Sequence, residues 1–285
     1  MTNHFFKQAV ILLLIILSSE AIVAQGLLYK VEGNGLKEPS YIFGTMHMIC
    51  AEDFIIPDEL PMALKTTKSL YLELDLTDTT MQQSMMAKLI DPSMEENYTM
   101  LSPEVTEIID QVLMNSLNVT FNQLKIMKPI IVSMMLVQAS FPCSDVESYE
   151  MALVDMANEQ NIPVKALETL DFQLGLFDSI SIEDQLKMLE SMALNHHNAA
   201  AEYRMLTDAY KSGNLDKINQ ITQKDPTFSG FDDLILNDRN EAWLNKLPAI
   251  MKKSPTFIAV GAAHLSGEKG ILQGLKKMGY TVKPI

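Results

Sequence analysis

Two histidines stand three residues after a glycine, each at the end of an apolar run. The first run is Tyr41-Ile42-Phe43-Gly44-Thr45-Met46-His47. The second is Phe257-Ile258-Ala259-Val260-Gly261-Ala262-Ala263-His264. Of five histidines in the chain, two therefore share one local setting far apart in sequence. Glycine lets a chain turn sharply or pass close to a ligand. A histidine just beyond it places an imidazole at the carboxyl end of a strand, where open α/β sheets bind ligands. Imidazole there can ligate a metal or move a proton. A lone Gly-x-x-His is common by chance and more often marks a strand end with a satisfied histidine. The matched pair points to a shared site.

Two further apolar runs carry a carboxylate: Tyr71-Leu72-Glu73-Leu74-Asp75 and Val164-Lys165-Ala166-Leu167-Glu168-Thr169. An acid among apolar residues is unfavourable unless paired, protonated or metal-bound. Strand alternation puts Glu73 on the face of Tyr71 and opposite Leu72 and Leu74; Asp75 joins it only if the strand continues. His47, His264, Glu73 and Glu168 suit a site for Zn, Mn, Co or Fe, or an acid–base pair. A metal would bring the pKa of bound water towards neutrality. The alternative is structural, with the glutamates paired to Arg239 or Lys165. Arg239, followed by Asn240, could equally clamp a carboxylate or an oxyanion. His196 and His197 point about 100° apart on a helix, so a solvated face is the expectation. The sequence has no H-E-x-x-H helix and no G-x-S-x-G elbow, and neither cysteine lies in a nucleophile motif.

The elements that must position these residues alternate between strand and helix. Residues 27–32 and 39–44 read as a hairpin around Gly33-Asn34-Gly35. Residues 69–74, 162–167, 256–260 and 280–282 read as further strands. Ser102-Pro103-Glu104 opens a helix, with Ser as N-cap and Pro at the first position. Ser181-Ile182-Glu183-Asp184 resembles a capping box and opens a long helix running towards Lys211. Segments 148–160, 232–252 and 268–277 also read as helical. The pattern predicts an α/β or α+β fold: a central mixed β-sheet with a large helical insertion, about 76–160 and 170–252, forming a lobe over the sheet. Of twenty methionines, Met81, Met85, Met86, Met94, Met100, Met134 and Met135 gather in that insertion. Core packing is the expectation for them, ahead of a Met-lined peptide groove.

The first 24 residues read as a signal peptide, with Lys7 ahead of the apolar run Ala9–Leu17 and small residues before Gln25. That run is too short to span a bilayer, which takes about 20 residues. The expectation is an exported protein, periplasmic or extracellular, with residues 25–285 as a single domain. A chain of 285 residues can bury a real core without disulfide staples. Cys50 and Cys143 could pair in an oxidising compartment, and two buried thiols are the equal alternative. The net charge of −14 and the absence of a Lys/Arg cluster argue against nucleic acid as a partner.

The order of Leu28-Tyr29-Lys30-Val31, the two Gly-x-x-His runs, Leu72-Glu73-Leu74-Asp75, Ala166-Leu167-Glu168-Thr169, Arg239-Asn240 and the Gly270–Val282 tail resembles the TraB/GumN family. The likeness covers about residues 27–285. It implies kinship with the Tiki proteases, which are divalent-metal dependent and act on Wnt proteins, and with erythromycin-esterase-like and haem-binding ChaN-like proteins. It implies an active site at His47, His264, Glu73 and Glu168, with Arg239 and Asn240 in a further motif. Unlike Tiki, the chain has no convincing C-terminal anchor, so no stable membrane attachment is expected after signal cleavage.

The leading expectation is an exported metal-dependent hydrolase of peptidase type, acting on a peptide or protein. His47, Glu73 and His264 would hold Mn, Co or Zn. Glu168 would be the general base, and Arg239 would stabilise the oxyanion. Gly44 and Gly261 would shape the two turns. The alternatives are a non-catalytic protein that sequesters peptide or haem, and metal-free hydrolysis with histidine as base.

Overall fold

A computed structural model describes residues 26–224 and 230–285. The expected signal peptide lies outside the described residues, as do the side chains of Met81 and Met86. In chain order the strands and helices are β1 (Leu28–Gly33), β2 (Ser40–Thr45), β3 (Ile49–Cys50), α1 (Glu59–Lys65), β4 (Leu70–Leu72), α2 (Thr79–Leu89), α3 (Pro103–Leu117), α4 (Phe121–Leu124) and α5 (Pro129–Ala139). There follow β5 (Val146–Glu147), α6 (Tyr149–Glu159), β6 (Val164–Ala166), α7 (Leu170–Asp178), α8 (Ile182–Asn195), α9 (Ala199–Lys211) and α10 (Leu215–Lys224). The chain ends with α11 (Asp238–Lys253), β7 (Phe257–Gly261), α12 (Ile271–Lys277) and β8 (Tyr280–Pro284).

The main sheet is mixed, six-stranded and ordered β6-β4-β7-β2-β1-β8. The pairings β6–β4, β4–β7 and β7–β2 are parallel, while β2–β1 and β1–β8 are antiparallel. The hairpin is the expected one: Gly33, Asn34 and Gly35 all take positive φ, and Leu36 N–H closes on the Gly33 carbonyl at 3.0 Å. In β7, Phe257, Ile258, Ala259 and Val260 are all fully buried, as suits a parallel strand covered on both faces.

Among the described residues three apolar clusters form, the smallest around Ile130, Ile131, Ile180 and Met188. Of the two larger, one lies around the sheet and includes Ile42, Phe43, Leu72, Trp243 and Ile258. The other belongs to the helical lobe and joins Ile109 and Leu113 of α3 to Val132 and Leu136 of α5 and Leu189 of α8. Met94 and Met135 pack on that second core, while Met100 and Met134 are exposed. Helix starts follow local chemistry: Ser102, Ser148 and Ser181 each accept a backbone N–H at an N-cap.

Three segments depart from the sequence reading. The helix from Ser181 does not run unbroken to Lys211. It tightens into a 3-10 turn at His196–Asn198, where His196 Nδ1 meets the Ala193 carbonyl at 2.8 Å and helps satisfy the helix end. Residues 233–237 form a π-helical turn ahead of α11. Inside the expected helical insertion, β5 pairs antiparallel with β3, and the Cys50–Cys143 disulfide fastens the two.

Candidate functional site

The parallel strands bring the four expected residues together. β2, β7, β4 and β6 all end on one edge of the sheet, and His47, His264, Glu73 and Glu168 each lie within three residues of one of those ends. The two Gly-x-x-His turns touch. A Cβ on Gly44 would meet Leu265 Cδ1 at 2.8 Å and Ala262 Cα at 3.1 Å, so only glycine lets the second turn lie against β2. Gly261 faces the centre instead. Its missing Cβ would stand 3.5 Å from Glu73 Oε1, 3.5 Å from His264 Cδ2 and 3.8 Å from His47 Nε2. Both imidazoles and one carboxylate thus converge on a single point.

Arg239 organises the buried half. Its Nη2 donates to Glu73 Oε2 and to Glu168 Oε1, both at 2.5 Å. Its Nη1 donates to His264 Nε2 at 3.1 Å and to the Ile235 carbonyl at 3.2 Å. Its Nε donates to Glu168 at 3.1 Å, so all five N–H groups of the guanidinium are engaged. The Ile235 carbonyl comes from the π turn, where such irregularities often serve a site.

Glu168 is the anchor of this arrangement. Beyond the two Arg239 groups it accepts from Gln173 Nε2 at 2.7 Å and Trp243 Nε1 at 3.0 Å. Three of these donors reach Oε1, while Oε2 accepts from Trp243 and, at 3.3 Å, from Arg239 Nε. The side chain is 2 % exposed, so its charge is held chiefly by Arg239. Lys165, the other cation considered for pairing, lies over the Tyr71 ring. Asp75 turns to its own loop and accepts from Thr77 N–H at 3.0 Å.

His264 is held as one tautomer. Asn240 donates through Nδ2 to the His264 and Lys269 carbonyls, which leaves Oδ1 as the acceptor for His264 Nδ1–H at 2.7 Å. Nε2 therefore carries the lone pair that faces Arg239. Burial disfavours a charge on this ring by more than the Glu73 carboxylate favours one, and the Arg239 and His47 charges lower the pKa further, to about 3. Glu73 goes the other way. Burial opposes its ionisation, but the His264 and His47 rings, Arg239 and the Gly261 N–H at 2.9 Å hold its pKa at about 2.

Glu150 was not singled out by the sequence. It sits on α6, where its Oε1 meets His47 Nδ1 at 2.7 Å and accepts from Thr45 Oγ1 at 2.5 Å, while Ser148 Oγ reaches Oε2 at 3.0 Å. One signal could have found it: Glu150 lies on the helix face of Leu153, Val154 and Ala157, an acid on an apolar stripe. The surrounding protein works against a charge on His47, but the Glu150 hydrogen bond and charge, joined by the Glu73 charge, outweigh that effect and the opposing Arg239 charge and raise the His47 pKa to about 9. Gln173, on α7, was missed as well. It bridges Glu168 and, at 3.4 Å, Glu73.

The site has two depths. A cleft of about 250 Å³ is lined by His47, Leu72, Glu73, Leu74, Leu76, Ser148, Glu150 and Gln173. The His47 side chain is 66 % exposed there, whereas Arg239 and His264 lie beneath at 8 % and 5 %. His196 and His197 stand apart in their 3-10 turn.

The sequence matches the TraB/PrgY/gumN family over residues 27–284. The chain belongs to this family. It is also 23 % identical over 302 residues to a zebrafish (Danio rerio) protein named Metalloprotease TIKI2. That alignment covers 86 % of this chain and 58 % of the relative, so the chain spans under two thirds of the relative's length. No solved structure matches. Among the described residues of this family member, no group of three or more His, Cys, Asp and Glu side chains is placed to hold a metal ion. The donor chemistry is nonetheless that of ligands: each Nδ1 is bonded to a side-chain oxygen and each Nε2 turns inward beside a carboxylate. Arg239 is what stands against it, because its Nη1 takes the His264 lone pair. Among the described residues no helix is long and apolar enough to cross a membrane.

Proposed function

We propose that this protein is an exported, metal-dependent hydrolase that cleaves peptide bonds in the cleft at His47. One observation carries the reading: His47 and His264 each have Nδ1 engaged, by Glu150 and Asn240, while His47 Nε2 and Glu73 Oε1 meet above Gly261 and His264 Nε2, now accepting from Arg239, stands 3.9 Å from that same oxygen. His47, Glu73 and His264 would hold the ion, as Mn, Co or Zn, in a His₂Glu donor set. When bound, a divalent ion supplies a Lewis acid that polarises the peptide carbonyl. Glu150 and Asn240 orient the two imidazoles. His47 must first release its Nε2 proton, so cation affinity rises with pH. Glu168 holds Arg239 in place. With His264 engaged as a ligand, Arg239 Nη1 would lack that acceptor, and its N–H would be the donor for a developing oxyanion. Export is supported by the apolar N-terminal run and by the Cys50–Cys143 disulfide, which persists in an oxidising compartment.

A second reading has its own support. The exposed His47 ring, backed by Glu150, is a proton carrier that needs no metal. Metal analysis and a peptide-cleavage screen with and without EDTA separate the two. Metal-stimulated turnover lost in both His47→Ala and His264→Ala supports the first. EDTA-resistant turnover lost in His47→Ala selects the second. Peptide or haem binding that survives both substitutions, with no turnover by the parent protein, replaces hydrolysis with sequestration.

A further inference from the structure

A second cleft, of about 200 Å³, opens between the C-terminal ends of α5 and α8 and the start of α9. Its walls include Met46, Val137, Phe141, Met192, Tyr203 and Leu206. That space far exceeds the roughly 10–15 Å³ that one water needs. It is not sealed, since Val137 is 41 % exposed.

Residues 46–50 tie the cleft to the hydrolytic site. Met46 lines it, and the next residue is His47. The Cys50 backbone N–H donates to the Tyr203 hydroxyl at 2.7 Å. The Cys50 side chain is bonded to Cys143, two residues from Phe141, whose ring packs on Tyr203 at 4.9 Å. One short segment therefore carries His47 and fixes two walls of an apolar cleft. Mostly apolar clefts with a few polar groups are the usual form of small-ligand sites.

We propose that this cleft is the specificity subsite for one bulky apolar side chain, such as Leu or Phe, of the peptide cleaved at His47. The assignment rests on the hydrolase reading for its substrate, and its test includes a readout that needs no turnover.

The probes are blocked hexapeptide libraries in which each position in turn is fixed as Gly, Asp, Leu or Phe. Leu or Phe at one position beside the cleaved bond is expected to raise kcat/KM about tenfold or more over Gly, the range that hydrophobic pockets deliver. Val137→Trp and Ala199→Trp fill the cleft from two different helices, and either one is expected to bring that ratio towards unity. Thermal melting checks the fold of both variants. In parallel, calorimetry follows binding of the Phe-fixed library to His47→Ala protein, with and without Val137→Trp or Ala199→Trp. Binding that a filling substitution abolishes supports the cleft even if no peptide is ever cleaved, in which case only the hydrolase reading fails. Cleavage with no apolar preference, or Phe-peptide binding indifferent to both fillings, overturns the subsite.

Discussion

His47 Nδ1 and Glu150 Oε1 meet at 2.7 Å across a sequence separation of 103 residues. The contact joins the first Gly-x-x-His turn to the start of α6, and it decides the charge of the exposed histidine in the cleft.

Removing that carboxylate charge has a readable signature. In Glu150→Gln the His47 pKa is expected to fall from about 9 towards the ordinary 6.5, followed by NMR titration of the imidazole. The sign for stability follows by linkage. A raised folded-state pKa means the pair stabilises fully below pH 6.5 and loses its contribution as pH rises through 9. Wild-type stability should decline across that window in urea titrations, and Glu150→Gln should flatten the decline. An unchanged His47 pKa in the variant would refute the pairing.

Arg239→Ala should be strongly destabilising, by about 3–5 kcal/mol, because it leaves Glu73 and Glu168 as buried unpaired carboxylates. Arg239→Lys should recover little, since an ammonium cannot reproduce five N–H groups in a planar fork. Urea denaturation measures both; a loss under 1 kcal/mol in the alanine variant would contradict the clamp.

The two motif glycines should behave differently. Gly44→Ala drives a Cβ into Leu265 and the Ala262 backbone and should lower stability by about 1–3 kcal/mol. Gly261 has φ −49°, and its added Cβ would touch Glu73, His264 and His47 only at ordinary contact distance. Gly261→Ala should therefore fold normally and lose about a hundredfold in kcat, because the methyl fills the point on which His47, His264 and Glu73 converge and misplaces what would bind there. Full activity in Gly261→Ala would place the chemistry elsewhere.

Reducing the Cys50–Cys143 disulfide opens a link between residues 93 apart and should lower stability by about 2–4 kcal/mol. The loss should be local as well as global. Cys50 is three residues from His47, and Cys143 is linked to Glu150 through β5, which pairs with Ile49–Cys50. Hydrogen exchange at Ile49 and Cys50 should quicken, and the His47 pKa should drop. A His47 titration identical in reduced and oxidised protein would uncouple the bridge from the site.

The strands and the residues that end them were legible because period-two alternation and buried apolar runs are local signals. They placed His47, Glu73, Glu168 and His264 at strand ends, together with the hairpin, the serine caps and the α/β class. The helix from Ser181 was read too long, because the histidine contact that helps end it at His196 is not written in the hydrophobic period.

Sequence alone determined which side chains stand at the strand ends, because β-strand periodicity and the glycine turns are set within a few residues. Only the tertiary structure decided what those side chains do. The parallel order β6-β4-β7-β2 puts four strand ends on one edge. Arg239 reaches Glu73 and Glu168 from 166 and 71 residues away, Glu150 reaches His47 from 103, and Gln173 reaches Glu168 from the next turn along. Lone pairs and protons are assigned by such non-local partners. That is why Glu168 became an anchor for Arg239, and why His47 and His264, alike in sequence, hold pKa values of about 9 and about 3.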